Sequence, residues 1–487
     1  MVAIILLVMA KRTNIITLCL IFILSGLGFG QLLSINVSPI LLLAVIIITR
    51  YLKGFMFLAS IFVFCFFLGH SRGHAYSSEL EAYKPLYKQQ VLLIGVVQDD
   101  GSYSKYKQMS FSISHIELAN GKKLKGKVQI SGFGTNAIYQ GDKVKVSGKL
   151  YPGYSAYQGR LSYANIEVIS RGDSLIPKLR RKFSAGITNA LPEPASPFAM
   201  GILIGQRSTL PDNVKQDLLM VGLTHIIAVS GYNLTIILEA SKKMLGSSKR
   251  LSTALSLGLI GIFLLITGSS ASIVRASIVS LIGITASYHG RRIKPLIIIL
   301  LSAVITAWAN PVYIWSDIGW YLSFLAFFGV LIIAPLIKER LKLKIFETIT
   351  GSVALESLCA EIMAQPYVVY MFGQMSLIGL LANVLIVGLI PLAMLLSLIS
   401  GLAGMMIADV ASFVAWPTAI LLNSMLGTAH VLAGIPGIFI ENIKISLGFM
   451  LGIYAGVLLF LIVLSSKTNS QKYVNLTDRS EINLVKV

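Results

Sequence analysis

Apolar runs separated by short basic loops fill most of this chain, and one polar stretch interrupts them. Three apolar segments open it, near 13–33, 37–49 and 54–70, the second short for a membrane span. From 72 to 173 the runs shorten and alternate, which predicts five β-branched strands at 90–98, 108–118, 124–132, 142–150 and 161–170. In the fourth, the alternation turns Val144, Val146 and, after Gly148, Leu150 toward a core. Five short strands in so few residues predict a small closed β-barrel, for which an OB-like fold is the natural form.

The apolar texture then returns. Residues 174–192 read as a basic amphipathic helix for the membrane surface, ended by Pro192 and Pro194. The run 197–207 is too short to span and is either a half-helix or a surface element. A second amphipathic helix from Pro211 through Met220 has Leu210, Val214, Leu218 and Leu219 on its apolar side. Further runs follow at 223–241, 251–267, 272–288, 295–309, 317–336, 349–372, 376–390, 392–408, 412–434 and 445–464. Pro366, Pro391 and Pro417 interrupt the later ones.

The chain is 55% hydrophobic and 13% charged, with a mean hydropathy of +0.77. That excludes a soluble globule and predicts a polytopic α-helical membrane protein of about 10–12 membrane helices, with the β-barrel domain inserted after the third. The expected divisions are membrane helices over 1–71, an OB-like domain over 72–173, interfacial helices over 174–222, a channel core over 223–465 and a tail over 466–487. Lys11, Arg12, Arg50 and Lys53 flank the first segments so that the N-terminus is cytoplasmic and the β domain extracytoplasmic. Five runs after the cytoplasmic Lys344 leave Lys467, Lys472 and Arg479 outside, unless one run is re-entrant or lies flat.

Charge sharpens the β domain. Of the net +20, residues 88–173 hold twelve Lys and Arg against six Asp and Glu, on the side where membrane topology gives no reason for them. Tyrosines 103, 106, 139, 151, 154, 157 and 163 are interleaved with these charges. A basic groove with aromatic rings suits sequence-tolerant single-strand binding, and the alternative is a solvated basic face with packed tyrosines. The DNA-contact candidates are Lys105, Lys107, Lys122, Lys123, Lys125, Lys127, Lys143, Lys145, Tyr154, Tyr157 and Arg160.

Polar residues inside apolar runs, with the helix-breaking Gly231 and Pro366 beside them, are the candidates for a path. They are Arg207, His225, Ser230, Gly231, Asn233, Arg275, Asp317, Glu361, Gln365, Pro366 and Asn383. A structural ion pair is the plainer reading of Arg275 with Asp317, and packing glue that of the serines and asparagines. Glu361 and Gln365 share one helix face, and Pro366 would kink that helix. His225 and Ser230 stand about 140° apart on a helix, so a nucleophilic dyad needs a break at Gly231. No phosphate-binding GxxxxGK[ST] loop or histidine metal motif occurs, Cys19, Cys65 and Cys359 all lie in apolar runs, and the reading is of a non-enzyme without metal or cofactor.

The run Met200-Gly-Ile-Leu-Ile-Gly-Gln-Arg-Ser, followed by Gly222-Leu-Thr-His-Ile-Ile-Ala-Val-Ser-Gly-Tyr-Asn, resembles the signature of the ComEC family. Ile273-Val-Arg-Ala-Ser, the block from Asn310-Pro to Asp317-Ile-Gly-Trp-Tyr-Leu-Ser-Phe-Leu-Ala, and Gln365-Pro366 through Asn383 are similar to later blocks of that family. The resemblance covers roughly residues 13–465. It implies an inner-membrane, multi-pass channel for single-stranded DNA in natural transformation. The implied partners are single-stranded DNA, membrane lipid, an envelope DNA receptor, a cytoplasmic helicase-type ATPase and a separate nuclease, with an oligomer compatible. Gln206 stands where the family often has an acid, and Asn233 where it commonly has a second histidine. Many members also end in a metallo-β-lactamase-like domain, and this chain reads as the short form without it. The alternative from another class is a permease for a small anionic or other solute with an accessory extracellular barrel.

Overall fold

The computed structural model describes residues 12–33, 47, 55–103, 108–134, 138–172, 175–206, 209–227, 249–267, 271–290 and 294–463. The apolar run 37–49, most of 223–241 and the tail lie outside the described residues, as do Lys105, Lys107, Arg207, Ser230, Gly231 and Asn233. The chain divides into two compact units. One comprises Met1–Lys215, Thr224–Tyr321 and Leu389–Gly427, and the other Gln216–Leu223, Leu322–Gly388 and Thr428–Val487.

The first unit begins with the helices Arg12–Phe29 and Phe55–Leu80, packed on each other through small residues. Gly26 lies against the Phe66 carbonyl and Gly69 against the Ile23 carbonyl, so a side chain at either would strike the partner's backbone. This close approach is how helices associate where apolar burial alone gives no preference. Phe22 and Phe62 stack beside it with centroids 5.2 Å apart.

The second helix does not stop near residue 70, as its hydropathy predicts, but runs to Leu80 and on through a 3₁₀ turn over Glu81–Leu86. Its polar extension is held by tertiary contacts. Arg72 donates to the carbonyls of Trp308 (3.1 Å) and Ala309 (3.4 Å), at the end of the helix Pro295–Ala309, and its guanidinium stands 5.3 Å from the centre of the Tyr76 ring.

That turn delivers the chain into the sheet: β1 (Gln90–Val97), β2 (Ser102–Tyr103), β3 (Met109–Leu118), β4 (Lys123–Leu124), β5 (Val128–Phe133), β6 (Lys143–Pro152) and β7 (Gly159–Ser170). β1 pairs with both β6 and β3, and the path runs β1–β6–β7–β5–β3 and back to β1. All of these pairings are antiparallel except β5–β7. Inside lie Leu93, Ile113, Val128, Ile130, Leu161 and Ile166, with Val144, Val146 and Leu150 turned inward as the alternation predicts.

Two ion pairs with buried carboxylates tie this sheet to the segment after β7. Asp142, fully buried, accepts from the Tyr139 and Gly172 amides at 3.0 Å and from Arg171 at 2.7 Å. Arg180 reaches Asp100 at 2.9 Å and also donates to Gln140 and to the Ile204 carbonyl. Arg180 belongs to the amphipathic helix Leu175–Ala190, whose apolar side (Phe183, Ile187, Ala190) is buried, with Phe183 and Ile187 packed on Gly401 of the helix Ile390–Met406. The run expected as a half-helix or a surface element is the ten-residue helix Ala195–Ile204, buried along its whole length, so the surface alternative falls. The next helix, Asp212–Met220, buries Val214 and Leu218, whereas Leu219 is 37% exposed and does not join the apolar side assigned to it.

In the second unit, Ile333, Leu355, Cys359, Met363 and Leu461 form a core. The helix Ile349–Phe372 starts on a Thr348 cap, runs through Pro366 without interruption and stops at Gly373, whose φ is 67°. Two-stranded pairing of β8 (Met375–Ser376) with β9 (Phe439–Ile440) comes next.

Among the described residues, three helices are long and apolar enough to cross a membrane: Met56–Leu86, Ile318–Leu341 and Gly379–Met406. The last one corrects the expected break. Pro391 falls in the first turn of its second half, just after a 3₁₀ turn at Val387–Leu389, so the missing amide leaves the helix continuous and two predicted runs become one. Shorter apolar helices are Thr13–Phe29, Ala195–Ile204, Arg250–Leu265, Ser272–Ala286, Pro295–Ala309 and Leu447–Val463.

Candidate functional site

Two of the ionisable residues in apolar runs meet in the first unit. Asp317 precedes the helix Ile318–Phe328, and its Oδ1 accepts from the Trp320 amide at 2.8 Å, the geometry of an N-cap. The Trp320 indole in turn donates to Thr306 Oγ1 at 3.0 Å. Arg275, on the helix Ala271–Tyr288, is 2% exposed and donates from Nη2 to the Gly319 carbonyl at 2.9 Å. Gly319 lies between the two charges: a Cβ there would stand 3.2 Å from Asp317 Oδ1 and 4.0 Å from Arg275 Nη2. Among the described residues, Nε and Nη1 of Arg275 meet no acceptor. A guanidinium held this way neutralises charge only through space and keeps two donors for something else.

The sheet reaches the same place. Ser316 donates its hydroxyl to the Ser155 carbonyl in the β6–β7 loop. Two residues on, Tyr157 has its phenol pushed up to about 12, first by burial and then by the charge of Asp99, with Tyr154 and Asp317 adding to the shift. Tyr154 is 55% exposed and meets Tyr157 edge-on at 6.3 Å. The structure therefore assigns these two candidate tyrosines different surroundings, one open to solvent and one half-buried.

Glu361, Gln365, Pro366 and Asn383 belong to the second unit. The Glu361 carboxylate stands against Gly379, where a Cβ would come within 2.8 Å of Oε1, and Asn383 lies one turn later on the same helix. Glu361 Oε2, Asn383 Oδ1 and Ser376 Oγ are buried atoms without a hydrogen-bond partner among the described residues. His225 is exposed at the surface of the short helix Thr224–Ile227.

The basic candidates divide between elements. Lys122, Lys123 and Lys125 are exposed around β4, with Lys125 bound to Glu79 at 2.7 Å, and Lys127 is half-buried. Lys143 and Arg160 are exposed on β6 and β7, while Lys145 on the same face is paired with Glu167 at 3.1 Å. Lys149 and Tyr151 continue the outward positions of β6 and were legible from its alternation, but the count of charges alone did not select them. Gly319 and the Ser155–Ser316 contact had no sequence signal.

Long apolar helices with buried ionisable groups and a strand domain spliced between them fit a helical membrane protein. The chain belongs to the competence protein family, whose family model matches residues 202–467. It is also similar to ComE operon protein 3 of Bacillus subtilis (strain 168), 25% identical over 211 residues. That match covers 42% of this chain and spans only 26% of the relative's length. No solved structure matches.

Proposed function

We propose that this chain is a channel of the cytoplasmic membrane that takes up single-stranded DNA during natural transformation, with its basic sheet domain outside as an OB-like guide. The family match over residues 202–467 carries this reading. The return of the strand path to β1, with β5 parallel to β7, supports an OB-like barrel. About 10–12 membrane helices are expected, and buried polar groups within each unit, Arg275 and Asp317 in one and Glu361 and Asn383 in the other, support a role in passing a polyanion. A receptor outside, a helicase-type ATPase inside and a separate nuclease would complete the system; the protein's own part is electrostatic and steric. With Gly379–Met406 one continuous helix, four apolar runs follow Lys344 in place of five, which supports a cytoplasmic tail.

The test is deletion of the gene followed by transformation with a selectable marker. Transformants should fall to background, and a wild-type frequency would overturn the proposal. Restoration by the intact gene but not by Arg275→Ala would place the polar site in the path, whereas a solute permease would leave DNA uptake unchanged.

A further inference from the structure

We infer that the outer face of β6 and β7 is the stacking platform of the sheet domain, binding single-stranded DNA through Tyr151 and Tyr163 flanked by Lys143, Lys149 and Arg160. The inference rests on the DNA-uptake reading and names the surface that performs it.

Tyr151 and Arg160 are direct cross-strand partners. The Arg160 guanidinium and the Lys149 ammonium each stand 6.0 Å from the Tyr151 ring centre, one on either strand. Such flanking holds cations beside an aromatic face at the limit of direct attraction, where they remain available to phosphates. The carboxylate on this face, Glu167, pairs with Lys145 at 3.1 Å, which leaves Lys143, Lys149 and Arg160 as exposed cations without an ion pair among the described residues.

Tyr163 carries the second argument. Ser147 pairs with Asn165 and Leu150 with Leu161, so two residues of β6 oppose three of β7, and Tyr163 is the middle one of the bulge. Its φ is 56° and the residue is 75% exposed. A bulged strand re-aims a side chain, and a non-glycine residue in the left-handed region costs free energy that packing ordinarily returns. Here packing returns little. The same domain fully buries Tyr83, with its hydroxyl on the Lys125 carbonyl, where a tyrosine serves the core. A ring held out at a bulge, opposite Lys149 in the register and on the strand whose Arg160 pairs with Tyr151, offers bases a stack and phosphates their counter-charges.

This location departs from the usual platform of OB-like domains on the second and third long strands. Those are β3 and β5 here; their outward positions, Ser110, Ser114, His115, Glu117, Gln129, Ser131 and Phe133, include one exposed phenyl ring but no lysine or arginine.

The experiment uses the full chain in nanodiscs of neutral phosphatidylcholine and a fluorescent oligothymidylate. Tyr163→Gly removes the ring at a backbone that glycine accepts, so folding is preserved, and it should weaken binding about tenfold, as should Tyr151→Ala. Tyr163→Phe should bind as wild type does. Lys149→Gln and Arg160→Gln should each reduce the salt slope by about 0.7. Wild-type affinity in Tyr163→Gly would overturn the platform, as would equal binding of the matching duplex or a loss seen only with phosphatidylglycerol vesicles, which would make the face a lipid contact. Unchanged binding by these variants alongside lost transformation in the deletion strain would sink the platform and leave the uptake reading standing.

Discussion

Replacing Asp317 separates two roles that one carboxylate performs. As an N-cap it accepts the Trp320 amide, and as a charge it faces Arg275 across Gly319. Both charged atoms lie within 4.0 Å of the position of a Gly319 Cβ, so they are at most about 7 Å apart. At an effective dielectric of about 20 their attraction is then at least about 2 kcal/mol. Removing the cap costs about 1 kcal/mol more. Asp317→Asn keeps an acceptor for the Trp320 amide and should cost about 2 kcal/mol, while Asp317→Ala should cost about 3 kcal/mol. Tryptophan fluorescence during denaturation of the detergent-solubilised chain reports the site, since Trp320 is part of it. In Arg275→Met the asparagine substitution should become nearly neutral, a coupling of about 2 kcal/mol. An asparagine variant as stable as wild type, or costs that simply add in the double variant, would refute the through-space pairing.

Gly69→Leu should prevent the first two described helices from closing, because the Ile23 carbonyl occupies the space; loss of folded protein on gel filtration checks it. Tyr157 gives an alkaline signature: its phenol is raised from 10.0 to about 12, so its contribution is fully present below pH 10 and is lost as pH rises through about 12. Tyr157→Phe should flatten the stability loss across that window, measured by near-ultraviolet circular dichroism. A cysteine placed at Ser470 in a background with Cys19, Cys65 and Cys359 replaced by alanine should label with an impermeant maleimide only after the membrane is opened; labelling of intact spheroplasts would put the tail outside.

The strands were legible because the pleat writes a two-residue rhythm into Val144, Val146 and Leu150, and Arg275 and Asp317 stood out because charge is rare in apolar runs. What escaped was tertiary. The extension of the second described helix to Leu80 depends on the Trp308 and Ala309 carbonyls, more than two hundred residues away in the chain. Pro391 reads as a breaker until its place in a first turn is seen, and the bulge that exposes Tyr163 exists only through the pairing of β6 with β7. The contrast in exposure between Tyr154 and Tyr157 likewise lies in a loop that docks on Ser316.

The helix that continues past residue 70 to Leu80 adds ten residues, about 15 Å, of stiff rod before the 3₁₀ turn. The sheet at its end is also fastened at Ser155 to Ser316 and through Asp100 to Arg180. Three moorings restrain the sheet. In the proposed orientation the sheet domain is thus a porch, not a tethered hook, and its height depends on the tilt of the helix beneath it. A thicker or thinner bilayer, by changing that tilt, would raise or lower the sheet together with the loop that touches the Arg275 site.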